Sequence, residues 1–136
     1  MGYVYANITL KNAVDVIDVR RGYIGEKDIR RINVRAMVDT GAVSLIISED
    51  IRKALGLELH GMRPVTLADH TIKTCNTTEP VEIHWENRSS ITPAVVLEDA
   101  TEVLLGAIPL QEMDLIVDPA RHQLIGAHGD QILYRV

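Results

Sequence analysis

The sequence predicts an all-β fold with one or two short helices, built as a single domain over residues 1–136. Short segments in which apolar and polar residues alternate recur along the chain, whereas a clear helical pattern is found once. The chain has no Phe and one Trp, so a core made mostly of Val, Ile, Leu and Ala is expected. Several short strands with few helices are typical of a compact β barrel or sandwich.

Strands dominate the first third of the chain. Residues 3–11 and 32–38 alternate between apolar and polar side chains, and residues 14–19 are rich in β-branched types. Residues 21–30 are polar and contain two glycines, which indicates a loop or hairpin turn. The β-branched run 43–47 favours a short buried strand.

The clearest helix signal follows this strand. Ser48 is a favourable N-cap, and the two acidic residues after it complement the positive end of the helix dipole. Ile51 and Leu55 are four residues apart, so they share one face. Gly56 is suited to end the helix.

The second half of the chain is again predicted to be mostly strand. Asp69 and His70 form a tight turn between two strands, and Pro109 fits the first turn of a short helix over residues 108–113. The predicted strands cover residues 63–69, 71–75, 81–86, 91–97, 102–105, 115–117, 123–125 and 132–136.

Composition limits the partners and the compartment. The formal net charge of −5 argues against nucleic acid as the main partner. Cys75 is the single cysteine, so no internal disulfide forms, and this fits a reducing, cytoplasmic location. The first residues do not have the pattern of a signal peptide, and no apolar run approaches the roughly 20 residues of a membrane span. We therefore expect no membrane partner.

No metal or other cofactor is predicted. Asp15 and Asp18 are three apart, and on a strand they would point to opposite faces, so they do not form a catalytic pair. The histidines show no short metal-ligand spacing and are interpreted as scattered surface residues. They are His60, His70, His84, His122 and His128.

The most informative stretch is AMVDTGAVSLIIS at residues 36–48. It places one carboxylate, Asp39, in an otherwise apolar run, where Asp is a poor strand residue and costly to bury. The hydroxyl of Thr40 can brace the loop, and Gly41 permits close backbone approach. Asp-Thr-Gly is also a common turn tripeptide, but a solvent-exposed turn does not require apolar residues on both sides. The context favours a catalytic carboxylate on a rigid turn.

A second motif accompanies the first. The apolar strand VLLG at residues 103–106 is followed by the short predicted helix. Together the two motifs resemble the retropepsin-like aspartic protease family, in which a strand ends in Asp-Thr-Gly-Ala and a later apolar-apolar-Gly precedes a short helix. The order matches from residue 34 to about residue 125. The resemblance implies a closed β barrel, and the chain looks more like the small cellular, stand-alone members than like a viral enzyme.

The resemblance implies an aspartic endopeptidase that acts on a peptide or protein substrate. Such enzymes use two carboxylates that share one proton, and this chain carries one motif, so a C2 homodimer with one Asp39 from each subunit is expected. Thr40 would then hydrogen bond to the opposite subunit's loop. The carbonyl of Gly41 would accept a substrate backbone contact, and Ala42 would pack near the substrate.

The family also has a β-hairpin, the flap, that covers the substrate. The corresponding segment here is residues 65–73, with Ala68, Asp69 and His70 at its tip as predicted substrate-binding residues. An ordinary exposed hairpin is the alternative interpretation of this segment.

The chain departs from the viral pattern at two places. Val43 and Ser44 stand where viral members often carry acidic residues, and Ala107 stands where they often carry Arg. These departures leave open a non-catalytic peptide-binding or dimerisation module on the same fold, or an unrelated β domain with a chance Asp-Thr-Gly. Residues 3–19 and 118–136 are both candidates for the strands of a dimer interface.

Overall fold

The computed structural model describes residues 3–133 and contains, within them, nine β-strands and three short α-helices. The strands are β1 (Val4–Asn12), β2 (Arg31–Val38), β3 (Leu45–Ile47), β4 (Leu59–Thr66), β5 (Ile72–Trp85), β6 (Arg88–Val96), β7 (Leu104–Leu105), β8 (Leu115–Asp118) and β9 (Gln123–Gly126). The helices are α1 (Ala13–Arg20), α2 (Glu49–Ala54) and α3 (Ala107–Glu112), and a 3-10 turn covers Glu26–Asp28.

Seven strands form one sheet in the order β1-β2-β7-β3-β6-β5-β4. Strand β1 pairs antiparallel with both β2 and β5, so six of the strands close into a ring and β4 extends outward from β5. Strands β8 and β9 form a separate antiparallel pair. The mostly β architecture with few helices confirms the predicted fold class.

The prediction of a strand over residues 14–19 is wrong, because this segment is helix α1. The side chain of Asn12 caps the helix by accepting a hydrogen bond from the backbone N–H of Asp15 at 3.1 Å. The buried Asp15 carboxylate accepts three hydrogen bonds from Arg30, from its backbone N–H, Nε and Nη2, each 2.9 Å long. These contacts outweigh the local β-branched preference, and residues 3–133 contain three short helices instead of the predicted one or two.

The same ion pair explains the electrostatics of the segment. Hydrogen bonds from the Arg30 guanidinium hold the pKa of Asp15 below its usual range. Asp15 therefore joins helix α1 to the residue that precedes strand β2, and it has a structural role.

Helix α2 agrees with its sequence signals. The hydroxyl oxygen of Ser48 accepts a hydrogen bond from the N–H of Ile51 at 3.3 Å. Gly56 has a φ of +63°, a left-handed conformation that favours glycine after the end of a helix.

Two predicted strands, 71–75 and 81–86, are one continuous strand, β5, of 14 residues. The register of its pairing with β6 shifts between Thr77 and Pro80, and Pro80 lies opposite Pro93. Because proline donates no ladder hydrogen bond, it is tolerated at such an irregularity. The first half of β5 pairs with β4, and the second half pairs with β6 and β1.

The other strand predictions differ mainly in their ends. The strands predicted over 43–47 and 102–105 are shorter, as β3 and β7. Of the predicted last strand, residues 132 and 133 are not in a strand, and residues 134–136 lie outside the described residues.

The core fills the ring with aliphatic side chains, as the composition predicts. Its most buried large members come from four different strands, and burying each contributes about 1.5–3 kcal/mol. They are Leu10, Leu45, Ile47, Ile83 and Leu105. Cys75 is also buried, as expected for a small apolar side chain. Among residues 3–133, no helix is long and apolar enough to cross a membrane.

Candidate active site

Asp39 lies at the end of strand β2, where the chain leaves the sheet. Its backbone N–H donates to the carbonyl oxygen of Leu105 at 3.0 Å, so strand β7 fixes its position. Its carboxylate Oδ1 accepts a hydrogen bond from the N–H of Gly41 at 2.9 Å, and its carbonyl oxygen accepts one from Ala42 at 3.1 Å. Asp39 is half-buried, whereas Thr40 and Gly41 are exposed. The result is a tight turn, residues 39–42, that holds a carboxylate at the surface.

The second motif packs directly behind this turn. The N–H groups of Ala107 and Ile108, at the start of α3, donate to the carbonyl oxygens of Ala42 and Val43 at 2.8 and 3.0 Å. At Gly106 an added Cβ would lie 2.3 Å from the carbonyl oxygen of Ser44 and 2.7 Å from the carbonyl oxygen of Ala42. Glycine is therefore required here for close approach, since its φ of −91° is open to any residue. Backbone hydrogen bonds to strand β7 and to the start of helix α3 therefore hold the Asp39 turn in place.

Opposite the Asp39 turn, β4 and the first half of β5 form a hairpin with residues 67–71 at its tip. The N–H of Leu67 donates to the carbonyl oxygen of Thr71 at 2.8 Å, and the N–H of His70 donates to Leu67 at 2.9 Å. His70 has a φ of +68°. The Asp69 carboxylate accepts hydrogen bonds from the N–H and hydroxyl of Thr71 at 3.0 and 2.6 Å. These hydrogen bonds lower the pKa of Asp69.

A cleft runs between the Asp39 turn and this hairpin, and it has two adjoining sections. The inner section, about 520 Å³ in volume, contains Asp39 and the hairpin tip. The outer section, about 360 Å³, continues from it along strand β4. Gly41, Ala42, Ile46 and Val65 line both sections, so the cleft is continuous.

The cleft brings together most of the residues predicted from the sequence. The inner section is lined by Asp39, Gly41, Ala42, Ala68 and His70. Thr40 and Asp69 do not line either section. Thr40 is exposed within the Asp39 turn, and the Asp69 carboxylate accepts hydrogen bonds within the hairpin tip.

Several residues of the cleft were not singled out from the sequence. The predicted strands include Val95, Leu97 and Leu104, but only the pairing of the strands in the sheet places these residues at the cleft. Arg63 lies in the outer section as part of a continuous run, residues 63–66, that lines it, and no local pattern in the sequence marks this run.

Two histidine–carboxylate pairs do not line the cleft. His84 contacts the buried carboxylate of Glu82 at 2.5 Å, and His128 contacts Asp114 at 2.7 Å. The hydrogen bond from His128 lowers the pKa of Asp114. Within the described residues, no three His, Cys, Asp or Glu side chains group in a way that could hold a metal ion.

A ring of strands, an aspartate turn braced by a glycine-helix motif and a hairpin across the cleft define the retropepsin-like class of protein. Residues 26–112, more than half of the chain, match the sequence model of the gag-polyprotein putative aspartyl protease family. The chain therefore belongs to this retropepsin-like family.

A solved structure supports the fold. The chain is similar to a retropepsin-like aspartic protease from Rickettsia conorii, with a TM-score of 0.56 and 19% sequence identity. The alignment covers 86% of this chain and 77% of that one. A comparison with curated proteins returned no match.

Proposed function

We propose that the protein is an aspartic endopeptidase that hydrolyses peptide bonds as a homodimer. The observation that carries the proposal is the position of Asp39, the one carboxylate lining the cleft among the described residues. Peptide hydrolysis by carboxylates uses a pair that shares one proton: one member accepts a proton from the attacking water, and the other donates a hydrogen bond to the scissile carbonyl. A protomer with a single cleft carboxylate needs a second copy to complete the pair.

The exposure of the turn supports a two-fold arrangement. Thr40 and Gly41 are exposed next to the half-buried Asp39, so a partner's turn can approach them. In the proposed dimer Thr40 hydrogen bonds across the two-fold axis and Asp39 pairs with its symmetry mate. A C2 axis through the turn requires that each protomer present the same residues to the other.

The proposed substrate is an extended peptide held between the turn and the hairpin. In the proposed complex the carbonyl of Gly41 accepts a substrate N–H, Ala42 contacts the substrate, and Ala68, Asp69 and His70 close over it as a flap. The exposed hairpin tip and the adjoining cleft support this role. We further propose that residues 1–136 act as one domain in the cytoplasm, where the lone Cys75 stays reduced.

The alternative is a non-catalytic module that binds peptides or dimerises on the same fold. Val43, 61% exposed beside the turn, favours this alternative because an acidic residue often occupies its place in viral members. Ala107 also favours this alternative, because the viral members often carry Arg at the corresponding position. Such a module would bind a peptide in the cleft without turning it over.

The test combines oligomeric state with cleavage. Analytical ultracentrifugation and a diverse peptide library assayed between about pH 4 and 7 are applied to the wild type, to Asp39→Asn and to the control Asp50→Asn. Asp50 is exposed on helix α2, so its substitution removes the same charge outside the cleft. We expect wild type and Asp50→Asn to dimerise and cleave, and Asp39→Asn to dimerise without cleaving. A statine-type transition-state mimic should inhibit the active proteins.

A stable monomer, or a dimer that cleaves nothing in the library, would contradict the protease proposal. Peptide binding without cleavage would then support the non-catalytic alternative. Cleavage that persists in Asp39→Asn would place the chemistry on other residues.

A further inference from the structure

Arg63 differs from every other residue of the outer section of the cleft. It is the one charged residue among those lining this section, which otherwise consists of apolar side chains, small residues and hydroxyls. The charged Asp39 lines only the inner section. In a chain with a net charge of −5, the outer section is thus a local positive site.

The register of the hairpin places Arg63 on the same face of the sheet as Val65 and Cys75. Arg63 is paired across the hairpin with Cys75, which is buried, and directly opposed residues of an antiparallel pair share a face. Val65, two residues along, lies on this face and lines both sections of the cleft. Lys73 is opposite Val65 and adds a second positive charge to the same face of the hairpin.

The guanidinium of Arg63 is available to a ligand. Among residues 3–133 it makes neither an ion pair nor a side-chain hydrogen bond, although other arginines, such as Arg30 and Arg52, pair with carboxylates. A guanidinium presents five N–H donors in a planar fork that matches a carboxylate. No carboxylate within residues 3–133 therefore pairs with the guanidinium of Arg63.

The walls around Arg63 suit an acidic side chain with an aliphatic stem. Val43, Ile46 and Val95 supply apolar surface in the same section. A glutamate of a bound peptide can pack its two methylene groups on this surface and direct its carboxylate to Arg63. Glutamine has the same shape without the charge, so it would lose the ion pair.

We propose that Arg63 selects peptides that carry a glutamate in the outer section of the cleft. The proposal rests on the proposed function in so far as the cleft binds peptides, and it names the substrate class of that site. Arg63 acts as a specificity-determining residue, and the chemistry at Asp39 does not depend on it.

The test uses octapeptide libraries in which glutamate or glutamine is fixed in turn at each position. Cleavage is measured at about pH 6, where glutamate is ionised, for the wild type, Arg63→Gln, Arg63→Lys, Arg63→Glu and the control Arg21→Gln. Arg21 is exposed at the end of helix α1 and does not line the cleft, so the control removes one positive charge elsewhere. Binding of the same peptides to Asp39→Asn, with and without Arg63→Gln, is measured by fluorescence anisotropy.

We expect the wild type to prefer glutamate over glutamine at one position by about twofold to fivefold, the range of a partly screened ion pair. The preference should vanish in Arg63→Gln, persist in part in Arg63→Lys, reverse in Arg63→Glu and remain in Arg21→Gln. It should also shrink at high salt, because exposed charges are screened.

Two results would overturn the proposal: no glutamate preference in wild type by cleavage or binding, or a preference that survives Arg63→Gln. The binding arm separates this inference from the proposed function. If nothing is cleaved but binding favours glutamate in an Arg63-dependent way, the selectivity stands and the protease proposal fails. If cleavage occurs without the preference, the protease proposal stands and the role of Arg63 fails.

Discussion

Gly106→Ala should destabilise the protein through a clash with the backbone of the Asp39 loop. The added Cβ would lie 2.3 Å from the carbonyl oxygen of Ser44, 2.8 Å from its nitrogen and 2.7 Å from the carbonyl oxygen of Ala42. An ordinary contact begins near 3.4 Å, so the loop and the start of α3 must separate by roughly 1 Å. None of the three atoms belongs to a flexible side chain that could turn away.

The magnitude follows from the two consequences of that separation. Inserting a methyl group into a closely packed site costs about 1–3 kcal/mol. The hydrogen bonds from Ala107 to Ala42 and from Ile108 to Val43 join the same two segments and weaken with them, at about 1 kcal/mol each. We therefore expect the free energy of unfolding to fall by about 2–5 kcal/mol, a large part of the stability of a small domain.

Gly25→Ala is the matched control, because the two glycines have nearly the same backbone. Their φ angles are −89° at Gly25 and −91° at Gly106, so alanine fits both conformations. At Gly25 the nearest atom to an added Cβ is a side-chain oxygen of Asp28, 3.4 Å away. Alanine there should be neutral or stabilise by up to about 1 kcal/mol.

The assay is urea unfolding of both variants at one fixed protein concentration, since dimerisation would make the apparent stability depend on concentration. Gly106→Ala should also lose the proposed peptide cleavage, because the displaced turn carries Asp39. If the two variants differ in stability by less than about 0.5 kcal/mol, the reasoning from close backbone approach is refuted.

Two further predictions concern the junction of β1 and α1. Because the pKa of Asp15 is lower in the folded chain than in the unfolded one, its contribution is complete above the usual pKa near 4 and is lost as the pH falls through the folded-state pKa. Asp15→Asn should therefore cost about 1 kcal/mol at neutral pH, a figure reduced for the half-exposed Arg30. The gap in urea unfolding should narrow as the pH falls below about 4, and an equal gap at neutral and at acid pH would contradict the ion pair. Asn12→Ala removes the cap of α1 and the 2.9 Å bond to the carbonyl oxygen of Leu55, so it should cost about 2–4 kcal/mol, whereas the exposed Asn7→Ala should cost little. Similar thermal midpoints for these two variants would count against a capping role.

The features predicted best from the sequence are those that depend on residues close together in the chain. The alternation in β2, the capping of α2 by Ser48 and the turn after Asp39 each depend on side chains within a few positions of one another. Hairpin residues such as Ala68 and His70 were located for the same reason, since strand, polar tip and strand are adjacent in the chain.

The prediction from the sequence was wrong where a residue distant in the chain determines the local secondary structure. The run that forms α1 is β-branched, yet the buried Asp15 is held by Arg30, fifteen residues later, and the pairing has no signature in either segment alone. The one local signal was Asn12 three residues before Asp15, the spacing of a helix cap. Arg63 and Val95 reach the cleft from different strands for a similar reason, because their meeting depends on sheet register.

The departures from the viral pattern can be understood from how the Asp39 loop is held. Val43 and Ala107 contact the opposing segment through backbone groups: the carbonyl oxygen of Val43 accepts from Ile108, and the N–H of Ala107 donates to Ala42. A side chain at either position can change without altering these hydrogen bonds, whereas Gly106 cannot. The variation at 43 and 107 is therefore compatible with an unchanged position of Asp39. It changes instead the surface that surrounds the turn, where Val43 is exposed and lines the outer section of the cleft. In the proposed dimeric protease, differences from the viral enzymes should accordingly appear in substrate preference and dimer contacts before they appear in the placement of the carboxylate.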